Sequence, residues 1–218
     1  MKTLTRFGLA GMLLMSFLVH AQDGQRALTA QDLEKHWAEI NYQLPDARQE
    51  PAFAQLAAQA RQAVETHSQS AALAGWYGII LSTWAGVKGG PEALDLVNQA
   101  RDWLEKAISL DARVLDGTVH ANLACLYYRV PGWPLAFGDR KKAAQLLDQA
   151  LALSPEGIDE NFYYGDFLYR QGNYAEAVKA LDKALSAAPR VDHELSDTGR
   201  HKEAEALLAE VRADQEQP

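Results

Sequence analysis

The segment YYGDFLYRQGNYAEAVKALDKALSAAP, residues 163–189, sets small, aromatic and large apolar residues around a turn in an order that suits a tight helical hairpin. Gly165 and Ala177 fall where two helices would cross closely, and Leu181 fills the space beside them. Gly172 supplies the turn, Tyr174 an aromatic contact, Ala184 a second small position, and Pro189 ends the second helix. Asn173, with Glu176 three residues on, has the form of a capping box for that helix. A hairpin of this kind cannot bury its apolar face alone, so the chain must stack several.

The copies are present. Leu123 and Ala124, then Ala143, Leu147, Ala150 and Pro155, repeat the pattern, and Ala150 lies 34 residues before Ala184. Gly78, Ala100, Leu104 and Ala107 form a third copy further upstream. A 34-residue helix–turn–helix period resembles the tetratricopeptide repeat. The predicted fold is therefore all-α: a tetratricopeptide-like helical-hairpin solenoid of about three hairpins, with capping helices at both ends.

Two of the hairpins are expanded. From Ala124 to Ala143 is 19 residues where Gly165 to Ala177 is 12, so seven extra residues enter at PGWPLAF. From Gly78 to Ala100 is 22, an excess of ten around STWAGVKGGPEAL, where Gly90 and Pro91 mark the restart of the second helix. Both surpluses fall at the same turn of neighbouring hairpins, on one edge of the stack.

Outside the repeats, Thr29 with Asp32 in the first turn predicts a helix reaching about Tyr42, and Pro51 suits the first turn of a second helix ending near Thr66. A last helix is expected from about Asp197 to Ala213, followed by a fraying tail over 214–218. At the other end, Lys2 and Arg6 precede an apolar run from Phe7 to Val19 and then Val-His-Ala, which reads as a cleaved signal over 1–21. The run is shorter than the roughly 20 residues of a spanning helix. Residues 22–213 then form one exported, periplasmic domain, soluble once the signal is removed. The lone Cys125 gives neither an internal disulfide nor a lipid-acceptor site after the apolar run.

The formal charge of −8 becomes −10 when Lys2 and Arg6 leave with the signal, which argues against nucleic acid as a partner. No GxSxG, GxxxxGK[ST], GxGxxG or HExxH occurs, and His120, His193 and His201 lack metal spacing with one another or with Cys125. No catalytic residue, cofactor or metal is expected. A hydrolase would need Asp139, Asp159 and Asp166 to converge in space.

What remains is a surface. Taking the second, fifth, ninth, twelfth and thirteenth positions of each first helix as groove-facing selects Asp159, Phe162, Asp166, Tyr169 and Arg170 in one hairpin. In the hairpin before it, the same positions hold Thr118, Ala121, Cys125, Tyr128 and Arg129. The Tyr-Arg pair recurs, combining a rigid aromatic face with a forked cation that suits an acidic or amphipathic partner. Both arginines could instead pair with Asp166. Trp133 and Phe137, in the inserted turn, either line a cavity at the groove rim or pack back on their own hairpin. The candidate binding residues are thus Tyr128, Arg129, Trp133, Phe137, Phe162, Asp166, Tyr169 and Arg170.

The V-P-G-x-P loop at 130–134, the F-G-D start at 137–139 and the run I-D-x-N-x-x-Y-G-D-F-L at 158–168 resemble the TatT-component family associated with TRAP transporters. The resemblance spans roughly residues 70–210. It implies an α-helical envelope protein that binds small organic solutes beside a periplasmic substrate-binding protein, in a family whose members can form trimers. The chain departs from the lipoprotein form in lacking the acceptor cysteine. Two readings stand: a non-enzymatic binder of a small organic ligand, a partner protein or both, accessory to TRAP-type solute uptake; and a protein–protein scaffold of the envelope with no small-molecule site.

Overall fold

A computed structural model describes residues 28–216; the expected signal over 1–21 lies outside them. The described residues form helices α1 (Ala30–Gln43), α2 (Asp46–Thr66), α3 (Ala71–Lys88), α4 (Leu94–Leu110), α5 (Thr118–Arg129), α6 (Arg140–Leu153), α7 (Ile158–Tyr169), α8 (Tyr174–Ser186) and α9 (Glu194–Gln215).

The three expected hairpins are α3–α4, α5–α6 and α7–α8, and their crossings explain the spacing of small residues. A Cβ built on Gly165 would lie 2.7 Å from Leu181 Cγ, and one on Gly78 would lie 2.7 Å from Leu104 Cγ. Ala124, Ala143, Ala150, Ala177 and Ala184 are fully buried at equivalent contacts. Helix starts follow local chemistry. Thr29 caps α1 as expected, in a full capping box with Asp32, and Asp139 Oδ1 accepts from the Lys141 and Lys142 amides at the start of α6.

Four local expectations are corrected. Helix α2 begins at Asp46, so Pro51 sits one turn inside it rather than at its start; Gln49 Nε2 instead ties the first turn to the carbonyls of Asn41 and Leu44. Asn173 makes no side-chain cap, and the Glu176 carboxylate accepts from Lys179 Nζ at 2.7 Å rather than reaching back. Most of the surplus in the α3–α4 hairpin is taken up as extra turns of α3, which runs to Lys88. The chain then reverses at Gly89 and Gly90, both with positive φ, into a short 3-10 turn at Pro91–Ala93. Helix α9 also starts earlier and ends later than expected.

The helices form two layers. Helices α2, α4, α6 and α8 lie outside, while α1, α3, α5, α7 and α9 pack in sequence along the inside. The inner row closes on itself, since α9 packs against α1. The stack is therefore a ring of five inner helices rather than an open trough. Closure depends on Gly199 in α9, where any Cβ would run into the ring of Tyr42 at the end of α1. Glu34 of α1 also meets His193 Nδ1, ahead of α9, at 2.5 Å.

Candidate functional site

Ring closure turns the groove into an interior, and Arg200 of α9 occupies its middle. The residue is only 7% exposed. Nε donates to Asp159 Oδ1 at 2.8 Å, Nη1 to Glu203, and Nη2 to Tyr163 Oη at 3.3 Å. Its guanidinium carbon lies over the rings of Phe162 and Tyr163, 4.6 and 4.9 Å from their centroids. A buried charge survives only when paired and hydrogen-bonded in this way. The network continues from Tyr163 Oη to Asn122 Oδ1 at 3.2 Å, from Asn122 Nδ2 to the Thr118 carbonyl, and from Thr118 Oγ1 to Glu160 Oε1 at 2.9 Å.

Trp37, Asn122 and Arg200 are shared walls that divide the interior in two. One compartment, of about 270 Å³, is bounded by Trp37, Trp76, Tyr42, Ile79 and the ionisable groups Glu34, Asp159, Glu160, Arg190 and Arg200. The Trp37 indole meets Tyr42 edge-on at 5.5 Å and Trp76 at 5.9 Å, which makes its wall aromatic. Leu115 and Asp116 also line it, in left-handed backbone conformation with φ near 48°. Such strain in non-glycine residues persists only where the surroundings enforce it. Here Gly117 follows with φ 104°, and a Cβ on it would meet the Ala150 carbonyl oxygen at 2.8 Å.

Glu160 is buried against this compartment. Burial first, then the charge of the adjacent Asp159, pushes its carboxyl up to about 8, so it holds a proton near neutrality. The larger compartment, about 560 Å³, is more open and more apolar, with Val87, Val97, Leu126 and Phe162 beside Thr83, Arg129 and Glu203. Cys125 lines it too, and burial pushes its thiol up, away from the reactive thiolate.

The eight residues selected from sequence separate in space. Arg129 and Phe162 line the larger compartment. Asp166 is only 2% exposed and is the point on which Tyr128, Arg129 and Arg170 converge: Tyr128 Oη donates at 2.7 Å, Arg129 Nη2 at 2.7 Å and Arg170 Nε at 2.9 Å. Tyr128 and Arg170 border a separate cleft with Arg140, Phe167 and Gln171. Tyr169 turns to α9, where its one hydroxyl proton lies between Asp214 Oδ2 at 2.7 Å and Glu210 Oε1 at 3.0 Å. Phe137 packs edge-on against Tyr127 at 5.2 Å, beneath the Arg101 guanidinium, while Trp133 is 89% exposed and borders neither compartment.

Asp139, Asp159 and Asp166 do not converge, each being held by different partners. Among the described residues, no three His, Cys, Asp or Glu side chains are placed to hold a metal ion, and no helix is long and apolar enough to cross a membrane. Sequence reasoning missed Trp37, Tyr42, Trp76, Asn122, Glu160 and Arg200. The available signal was Gly199-Arg200 inside an otherwise good helix-forming segment, a glycine that helix propensity alone disfavours.

A family model described as "Tetratricopeptide repeat" matches residues 135–197, from the inserted loop through α6, α7 and α8 to the start of α9. With the glycine crossings and hairpin geometry, this makes the chain a tetratricopeptide-like helical-repeat protein. Similar solved structures include the thermophilic tetratricopeptide protein TTC0263 of Thermus thermophilus, 17% identical, covering 79% of this chain and 99% of that one, with a TM-score of 0.41. The MamA protein is 16% identical, with coverage of 85% and 93% and a TM-score of 0.40. Yeast Tom70 is 14% identical, with coverage of 83% and 40% and a TM-score of 0.47. No curated protein matches the chain.

Proposed function

We propose that this chain is a non-enzymatic helical-repeat binding protein that holds a small organic ligand inside its closed ring. The observation that carries the reading is the contact of α9 with α1. It leaves compartments of about 270 and 560 Å³ where an open repeat would offer a trough. Those volumes suit a small molecule, for which sites of a few hundred Å³ are usual. Trp37, Trp76 and Phe162 provide apolar walls, and the Glu160 carboxyl and Asn122 amide provide polar ones. The resemblance to the TatT-component family extends the proposal to an exported protein, soluble in the periplasm, that assists TRAP-type uptake beside a solute-binding protein.

Native mass spectrometry of gently purified protein tests this. A small molecule retained by the wild type and lost from Trp37→Ala supports it; a wild type without adduct, even when offered a panel of small organic acids and amphiphiles, defeats it. The second reading is a protein-binding scaffold of the envelope, favoured by charges already satisfied within the chain. Asp159 and Glu203 are paired with Arg200, and Asp166 with Arg129 and Arg170. A stable protein adduct without any small ligand would support that reading.

A further inference from the structure

Four large apolar side chains are exposed among the described residues, and two of them, Trp133 at 89% and Leu135 at 74%, stand two positions apart in the loop between α5 and α6. The loop is held in shape from below. The Gly138 amide donates to the Pro131 carbonyl at 2.9 Å, the Asp139 amide to the Tyr127 carbonyl at 2.9 Å, and Phe137 is clamped between Tyr127 and Arg101. Gly138 is required there, since a Cβ would strike the Val130 carbonyl oxygen. The structure thus orders the backbone while leaving its two largest exposed apolar side chains in water.

The residues that follow are as unusual. The first turn of α6 is Arg140, Lys141 and Lys142, all exposed and in no ion pair among the described residues. A helix N-terminus carries partial positive charge and favours acidic residues, so three cations there work against the helix. A local rule broken this plainly points to a role outside folding. Arg140 lines one cleft with Arg170, and Arg129 and Arg170 share a single carboxylate, Asp166, so around this loop Arg129, Arg140, Lys141, Lys142 and Arg170 outnumber the carboxylates Glu105, Asp139 and Asp166 on a chain of net charge −8. At physiological salt the screening length is about 8 Å, so an approaching surface feels this local excess of cations more than the acids elsewhere on the chain.

We propose that this loop is a contact for an anionic lipid bilayer, with Trp133 and Leu135 entering the interface and Arg140, Lys141 and Lys142 lying among the headgroup phosphates. Tryptophan is the side chain best suited to the headgroup level, and lysine and arginine are drawn to an anionic surface. The shape of the tip also favours lipid over a protein partner. An indole offers roughly 200 Å², and even with the leucine the tip falls well short of the about 800 Å² per partner of a stable protein interface. A bilayer needs no complementary pocket.

Vesicle flotation with the protein expressed from the full chain provides the test. Wild type and variants are compared in the same exported form, after removal of residues 1–21 and their apolar run. The wild type is expected to float with vesicles of phosphatidylglycerol in phosphatidylcholine, to bind phosphatidylcholine alone at least tenfold less, and to be partly released by salt. Trp133→Ser with Leu135→Ser, and separately Lys141→Glu with Lys142→Glu, should each lower binding about tenfold or more. The second pair improves the helix-dipole interaction, so its loss of binding is not a loss of folding. Brominated acyl chains should quench part of the tryptophan emission in the wild type and not in Trp133→Phe. A wild type that binds no vesicles, one that binds neutral and anionic vesicles equally, or unchanged binding by the Trp133/Leu135 variant overturns the proposal. So does a stoichiometric protein partner lost on those same substitutions while vesicle binding stays unchanged.

Discussion

The ring of Tyr42, at the end of α1, occupies the place that a side chain at position 199 in α9 would need. Glycine inside a helix normally lowers stability by about 1 kcal/mol relative to alanine. Here the sign is expected to reverse. Gly199→Ala should destabilise the protein by about 1 to 3 kcal/mol, as overpacking does. Urea unfolding checks this; a Gly199→Ala protein more stable than wild type would show that the ends of the ring do not hold together.

The buried carboxylate of Asp166 gives a second prediction. Replacing it with asparagine leaves the Arg129 and Arg170 charges without their shared counter-ion and weakens the bond from Tyr128. A loss of about 2 to 4 kcal/mol is expected, because breaking a buried pair from its buried side is the costly direction. Arg129→Gln and Arg170→Gln, whose side chains are about half exposed, should each cost only about 1 kcal/mol. Thermal or urea denaturation of the three variants orders them.

Glu160 should make the protein less stable as the pH rises. Its folded pKa of about 8 lies above the ordinary 4.5, so the folded protein holds the proton more tightly than the unfolded chain. The penalty is absent below about pH 4.5, grows through the interval and is complete above about 8. Glu160→Gln should therefore match the wild type near pH 4.5 and exceed it by about 2 to 4 kcal/mol at alkaline pH. Parallel stability curves for the two proteins across that range would remove the basis of the assignment.

The helix crossing at Gly165 gives a double-mutant test. Gly165→Ala should cost about 1 to 3 kcal/mol through the clash with Leu181. Added to Leu181→Ala, the same substitution should cost little, and the difference between the two measurements is the contact energy.

The hairpins were legible because each is local. Gly165, Ala177 and Leu181 lie within one short span, so their spacing alone predicts the crossing that the structure shows. The closure was not, since Glu34 and His193 meet across 159 residues and no local pattern announces it. The groove positions illustrate the middle ground. Counting along the helix found Arg129 and Phe162, which line the interior. The same count chose Tyr169 and Asp166, whose polar atoms are taken by neighbouring helices. Periodicity reports which face a residue occupies, whereas the partner it finds there depends on the packing of a different hairpin.

The contact of α1 with α9 also limits how such a chain can change length. An open stack of hairpins can gain or lose a unit at either end, since each unit touches only its neighbours. In this molecule the two ends are neighbours. Duplicating one hairpin would drive Tyr42 and Gly199 apart and empty the position of Arg200, so the number of repeats is bound to the existence of the interior itself.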